Sequence, residues 1–276
     1  MKIDKEIDIQ KYKRFFAFGC SFTNYAWPTW ADYLGRNIGE YYNFGGSGSG
    51  NMLIFQQFIQ CMKKYEFTEN DLVIIQWTNT TREDRYIDGE WRRNGNLETQ
   101  GDGLYKNKNY VIDYRGMFFR DLGFISAAKK ILEKEKCDWD FLLMVPLTLD
   151  IGIPEEKDFG HSHHIHDLKK FFSDELAASK PSFYEILNGW DNFRKVEFLD
   201  NGVLSKDYHP TPDVHRTVLN KLYSISNSKN EIDTYIDMKT DALFNTKVRY
   251  TAELLFSGMY DEETKSHSSG QFPVIW

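Results

Sequence analysis

Cysteine is scarce in this chain of 276 residues. The three present, Cys20, Cys61 and Cys137, are too few and too scattered for a disulfide framework or a zinc cluster. A basic surplus is missing as well. Lys and Arg number 34 against 41 Asp and Glu, a net charge of -7, which excludes the positive footprint that general nucleic-acid binding requires. No apolar run approaches membrane length, and the opening segment MKIDKEIDIQKYKRF alternates charges with isolated apolar side chains. Neither a secretory signal nor a membrane span is expected there, and the expected location is the cytoplasm. Internal repeats and low-complexity tracts are also absent, which sets aside solenoid architectures.

Aromatic residues, by contrast, are plentiful: 21 Phe, 16 Tyr and 7 Trp make up 16% of the chain. Rings at that density fill cores and also offer stacking faces to sugars and other amphipathic ligands. The length suffices for a sizeable core in one large domain. Strand-like and helix-like segments alternate, which predicts an α/β fold. Arg14–Phe18, Tyr41–Phe44, Asp71–Trp77 and Trp139–Pro146 read as strands, and Lys195–Leu199 as a fifth. Helical spacing follows Pro28, begins again at Asn51, and returns over Arg115–Lys136 and Thr211–Tyr223. From about Thr81 to Tyr114 the pattern dissolves into glycines, charges and aromatics, as in a lid or binding loop. A second irregular stretch covers Leu147–Asp167.

Three short polar motifs each follow a strand-like run. In Gly19-Cys20-Ser21-Phe22-Thr23 the serine lies beyond the first strand's carboxyl end, where open parallel sheets bind ligands. A helix cap would explain an isolated serine equally well. Asn43-Phe44-Gly45-Gly46-Ser47-Gly48-Ser49-Gly50 lets the backbone approach a ligand closely. It lacks the Lys-Ser or Lys-Thr pair of a phosphate loop, and alone it would be a flexible turn. Gln76-Trp77-Thr78-Asn79 supplies a neutral amide that can donate to developing negative charge, or cap a helix. Far downstream, Asp207-Tyr208-His209-Pro210 offers a general base with a carboxylate beside it, and His215 follows.

In this order the four motifs resemble the SGNH/GDSL hydrolase family, named for its invariant Ser, Gly, Asn and His. Gly19-Cys20-Ser21 corresponds to the Gly-Asp-Ser block, with Cys in place of Asp. Trp27-Pro28-x-x-Ala31-x-x-Leu34 is similar to the helix start that follows it. The second block falls on Asn43-x-Gly45-x-Ser47-Gly48, the third on Asn79 and the last on His209-Pro210. The resemblance spans about residues 13–225. It implies a three-layer sandwich around a central, mainly parallel sheet of flavodoxin-like order. It implies Ser21 as nucleophile, His209 as base, and an oxyanion hole from Ser21 N–H, Gly48 N–H and the Asn79 side chain. No metal or organic cofactor is required. The family's acid stands three residues before the histidine, where this chain has Lys206. Asp207 is the expected acid instead, with Asp200 and Asp213 as alternatives.

On this reading residues 1–225 form a catalytic domain with insertions at about 81–114 and 147–167, and 226–276 a helical extension and tail. The expected activity is hydrolysis of a small acyl ester, such as O-acetyl on a carbohydrate. Trp77, Tyr86 and Trp91 are candidates for substrate binding. Acyl transfer to a sugar by the same serine, or a catalytically silent binding protein, are the alternatives. The expected partner is a small-molecule or glycan ester, not nucleic acid or membrane, and the oligomeric state is open. The cluster His161, His163, His164 and His166 has spacings that can bind metal, but it lacks the Glu of a zinc protease and reads as a loop.

Overall fold

The computed structural model describes residues 1–96, 114–147, 169–189, 196–200 and 203–227, with Thr234 and Ile236. The chain enters through a short strand, β1 (Glu6–Asp8), and a single 3-10 turn. β2 (Arg14–Gly19) then runs through the middle of the molecule, every residue after Arg14 buried. Its sequence RFFAFG has no polar alternation, as befits a strand covered on both faces. After helix α1 (Trp30–Gly35) comes β3 (Glu40–Gly45), and after α2 (Asn51–Lys64) comes β4 (Asp71–Trp77). A hairpin of β5 (Arg82–Ile87) and β6 (Glu90–Asn96) precedes α3 (Tyr114–Leu132) and β7 (Asp138–Leu143).

The central sheet has the order β3-β2-β4-β7, and all its pairs are parallel. Side-chain alternation divides the core in two. Phe15, Ala17, Leu72 and Ile74 face one layer with Trp30 and Leu34 of α1. Phe16, Phe18, Val73 and Ile75 face the other with Ile54 and Phe58 of α2 and Leu122 and Ile125 of α3. The fold is therefore α/β in three layers. Truncating a ring such as Phe16 or Phe18 to Ala should cost about 3–5 kcal/mol, because nothing can collapse into a sheet packed on both sides.

From β2 the chain steps out to β3 and then crosses back over β2 to β4, with α1 and α2 on opposite faces. The reversal puts a switch point beyond the carboxyl ends of β2 and β4, the position where open α/β sheets hold ligands. Two short helices, α4 (Ser173–Ala178) and α5 (Phe183–Ile186), follow β7. Next come β8 (Val196–Asp200), β9 (Val203–Asp207), α6 (Pro212–Leu222) and β10 (Ser224–Ser226). α6 packs on the α1 side of the sheet through Val218, Leu219 and Leu222.

Two sequence expectations need correction. The strand expected at Lys195–Leu199 exists as β8, but it pairs antiparallel with β9 instead of widening the sheet. The insertion after Asn79 is not patternless at its start, since Arg82–Asn96 form the β5–β6 hairpin. Its turn has Asp88 at φ 54 and Gly89 at φ 83, the pair of positive angles a tight hairpin turn requires. Also unforeseen, β10 returns to pair in parallel with β1. The insertion between 97 and 113, the histidine cluster and most of the expected 226–276 extension lie outside the described residues. Among the described residues no helix is long and apolar enough to cross a membrane.

Candidate active site

Ser21 lies in the turn immediately beyond β2. The turn closes when Thr23 N and Asn24 N both donate to Cys20 O, at 2.9 and 3.2 Å. Gly19 has to be glycine, because a Cβ there would overlap the Thr23 side chain folded back over it. Thr23 Oγ1 donates to Gln76 Oε1 at 2.8 Å, which ties the turn to the end of β4. Asn43 Nδ2 donates to Thr23 O at 2.9 Å, which ties it to β3. Cys20 is a buried free thiol that faces Met144 Sδ at 3.7 Å, so its side chain belongs to the core. Ser21 itself is 2% exposed.

The glycine-rich loop follows β3. Gly46 N donates to Gly19 O at 3.1 Å, which docks the loop against the serine turn. Gly48 adopts φ 76, a left-handed conformation that only glycine reaches without strain. Beyond β4, Asn79 Oδ1 accepts from Thr81 N at 2.9 Å, fixing the amide while its Nδ2 remains a donor. The preceding residue is fixed as well. Asn51 Oδ1 accepts from Thr78 N at 2.8 Å, and Asn51 Nδ2 donates to Thr78 O at 3.1 Å and to Asp121 at 2.7 Å. Burial pushes the Asp121 carboxyl up to about 7 against the pull of Arg120 and Asn51. Ser21, Gly48 and Asn79 thus share the carboxyl end of the sheet.

His209 arrives from outside the sheet. β9 ends at Asp207, and two residues later His209 Nε2 lies 2.8 Å from Ser21 Oγ. Its Nδ1 lies 2.7 Å from Asp207 Oδ1. The same carboxylate oxygen accepts the backbone N–H of His209 at 2.9 Å. This local turn is why a carboxylate two residues upstream reaches the ring. Lys206 projects to the opposite side of the strand and pairs with Glu197 at 3.2 Å. Asp213 accepts from Thr211 Oγ1 at 2.6 Å as part of the α6 start. Burial raises the Asp207 carboxyl, but hydrogen bonds from His209 and Tyr25 outweigh it and leave it below its ordinary value.

Two residues hold this half in place: Tyr25, which was not singled out in the sequence, and Trp27, read there only as part of a helix start. The Tyr25 ring stacks on His209 with centroids 3.8 Å apart and planes 20° apart, and its hydroxyl donates to Asp207 Oδ2. Trp27 meets Tyr25 edge-on at 4.7 Å, and its Nε1 donates to Pro210 O at 2.8 Å. Tyr25 lies four residues after Ser21, but no spacing rule marks a ring that must stack on a base 184 positions downstream. His215 is different in kind. It is fully buried between Phe22 and Phe183, and burial together with the His209 charge lowers it to about 3. It stays neutral and contributes packing.

The substrate-binding expectations fare unevenly. Trp77 is fully buried in the core, edge-on to Phe141 at 5.6 Å, so it cannot line an open pocket. An apolar strand end simply needs a large side chain there. Tyr86 and Trp91 pair across the β5–β6 ladder with rings 5.5 Å apart, and Tyr86 is partly exposed. Asp84 of the same hairpin accepts from Gly50 N and Leu53 N, both at 2.9 Å. It caps α2, whose own N-cap Gly50 has no side chain to do so.

Taken as chemistry, the arrangement has a hydroxyl in contact with an imidazole that a carboxylate orients. Backbone and amide donors line the same sheet end. No family model matches the sequence, and no curated protein is similar to it at a significant level. Among solved structures, one from Desulfitobacterium hafniense DCB-2, provisionally described as a lipolytic protein of the G-D-S-L family, is similar at 17% identity. The match covers 76% of this chain and 97% of that one, with a TM-score of 0.38.

Proposed function

We propose that the protein is a serine hydrolase acting on small acyl esters. The observation that carries this reading is the continuous contact from Ser21 Oγ through His209 to Asp207, at 2.8 and 2.7 Å. In this proposal His209 Nε2 takes the Ser21 proton as the oxygen attacks the ester carbonyl. Asp207 holds the imidazole in the tautomer with hydrogen on Nδ1 and stabilises the imidazolium that forms. The tetrahedral oxyanion accepts from Ser21 N–H, Gly48 N–H and Asn79 Nδ2, each such donor typically contributing about 3 kcal/mol to the transition state. His209 then returns its proton to the departing alcohol. Water, activated by the same base, releases the acid and restores the serine.

The domain taking part is residues 1–225. A fluorophosphonate probe and p-nitrophenyl acetate test the proposal together. The wild-type protein should be labelled at Ser21 and should turn over the ester. Labelling that persists in the Ser21→Ala variant, or no labelling and no turnover in the wild type, would sink the reading.

A further inference from the structure

The β5–β6 hairpin carries two guanidinium groups to the glycine loop, and the proposed reaction uses neither. Arg82 lies against Gly50, its Cβ 3.1 Å from where a Gly50 side chain would begin. Its Nη1 donates to Ser49 O at 3.1 Å, and its Nη2 lies 3.8 Å from Met144 Sδ. Its Nε is buried and has no partner among the described residues. Met144 Sδ also touches Cys20 Sγ at 3.7 Å and Thr78 Oγ1 at 3.5 Å. Arg82 therefore contacts the same sulfur as the residues preceding Ser21 and Asn79. Arg93 approaches from the other strand, with Nη1 2.5 Å from where a Cβ on Gly46 would stand. The two arginines bracket the loop that contains Gly48.

Positive charge held this close to a low-dielectric site ordinarily has a carboxylate in contact. Asp84 faces Arg93 across the ladder and its charge interacts with that of Arg82, but the neighbouring carboxylates make their hydrogen bonds and ion pairs with other groups. Asp84 spends both oxygens on the Gly50 and Leu53 amides. Glu83 pairs with Arg85 and Arg120, and Asp121 with Arg120 and Asn51. Among the described residues neither Arg82 nor Arg93 forms an ion pair. Strand alternation turns Arg82, Asp84 and Arg93 to the face that covers α2, while Arg85 projects away.

We propose that Arg82 and Arg93 form an anion-recognition subsite beside Ser21, so that the natural ester carries a carboxylate or phosphate group next to its scissile bond. This rests on the esterase reading for its substrate but not for its binding. The guanidinium forks take the anion's oxygens. The anion is held as the reacting carbonyl meets Gly48.

Two measurements test it. Isothermal titration of the Ser21→Ala protein with succinate and with inorganic phosphate should give salt-sensitive binding. Whichever binds more tightly identifies the anion. Arg93→Gln should weaken that binding at least about tenfold, Arg93→Lys should retain part of it, and Arg85→Gln should leave it unchanged. In turnover, kcat/KM for 4-acetoxybenzoate should exceed that for the neutral 4-acetoxybenzamide, and Arg93→Gln should remove the preference. Unfolding curves matching the wild type would show that Arg93→Gln is folded. Binding of neither anion, or equal loss in the Arg85→Gln control, would overturn the subsite. Anion binding without turnover of any ester would overturn the esterase reading and leave the subsite standing.

Discussion

The two halves of the candidate site are built by different means. Ser21, Gly48 and Asn79 follow three neighbouring parallel strands. Asn43 donates to the serine turn, Gln76 accepts from it, and Asn51 at the start of α2 accepts from Thr78 N, which locks the turns to the sheet and to α2. Asp207 and His209 leave a two-stranded ladder that, among the described residues, shares no backbone pairing with that sheet. Their position relative to Ser21 depends on side chains, Tyr25 stacked on the imidazole and Trp27 holding Pro210. One half is carried at the ends of paired strands, and the other is held to it through side chains. A parallel sheet fixes its loop origins to within the strand spacing, whereas a docked segment needs dedicated contacts to reach comparable precision.

This contrast can be broken directly. Ser21→Ala and His209→Ala should both abolish turnover of p-nitrophenyl acetate, by roughly a thousandfold or more, because nucleophile and base act as a unit. If His209→Ala keeps activity within a few-fold of wild type, the docked half is not part of the machinery. Asp207→Ala should cost about ten- to a thousandfold in kcat, since the imidazole loses both its orienting partner and its stabilising charge. The readout is steady-state kinetics near neutral pH. An Asp207→Ala variant with full activity would leave the base without need of an acid.

Tyr25→Phe sharpens the comparison. It keeps the ring and removes only the hydrogen bond to a charged carboxylate, so kcat should fall by about tenfold with KM nearly unchanged. Tyr25→Leu, which also removes the stack, should fall further, while fluorophosphonate labelling slows in step. A change confined to KM would place Tyr25 among substrate contacts instead. Trp91→Ala on the hairpin should raise KM for a bulky ester by a few-fold and spare p-nitrophenyl acetate, if the ring offers uniform binding away from the reacting carbonyl. Equal losses on both esters would indicate damage to the hairpin.

The smallest effect concerns acid stability. His215 is held at about 3 in the folded protein against an ordinary 6.5, so between those values only the unfolded chain binds its proton. Its contribution is complete above about 6.5 and is lost as pH falls toward 3, at about 1.4 kcal/mol per pH unit. His215→Phe removes this dependence. The stability difference between wild type and variant, from urea unfolding, should move in favour of the variant as pH drops. A pH-independent difference would mean that His215 is not buried neutral.

How much of this was legible in the sequence follows from the same contrast. β2, β4 and β7 were readable because strands buried on both faces lose polar alternation and become apolar runs such as DLVIIQW. The residues at their ends could therefore be placed. The β5–β6 hairpin was not read because REDRYI and EWRRNGN have too little apolar content to announce strands, although Asp88-Gly89 was a usable turn signal. β8 was readable as a strand but not its partner choice, since β9 has no apolar run to announce it. Trp77 was misread because a tryptophan beside a polar motif looks like a ligand contact, whereas its burial is a tertiary fact. Tyr25 was missed for the converse reason, since its role exists only once His209 is docked.

The pairing of β1 with β10, together with the 188-residue separation between His209 and Ser21, has a consequence for how the protein is made. The serine turn leaves the ribosome well before His209, with β3, β4 and β7 of its sheet still to come. At about 5–20 residues per second, the interval before His209 is synthesised is on the order of 10–40 seconds. Over that time the chain can assemble β2, β3 and β4 with the serine turn in place but without the imidazole. Closing so distant a contact is slow and comes late. Reactivity would then arrive as a final step of folding, once α6 docks and β10 finds β1.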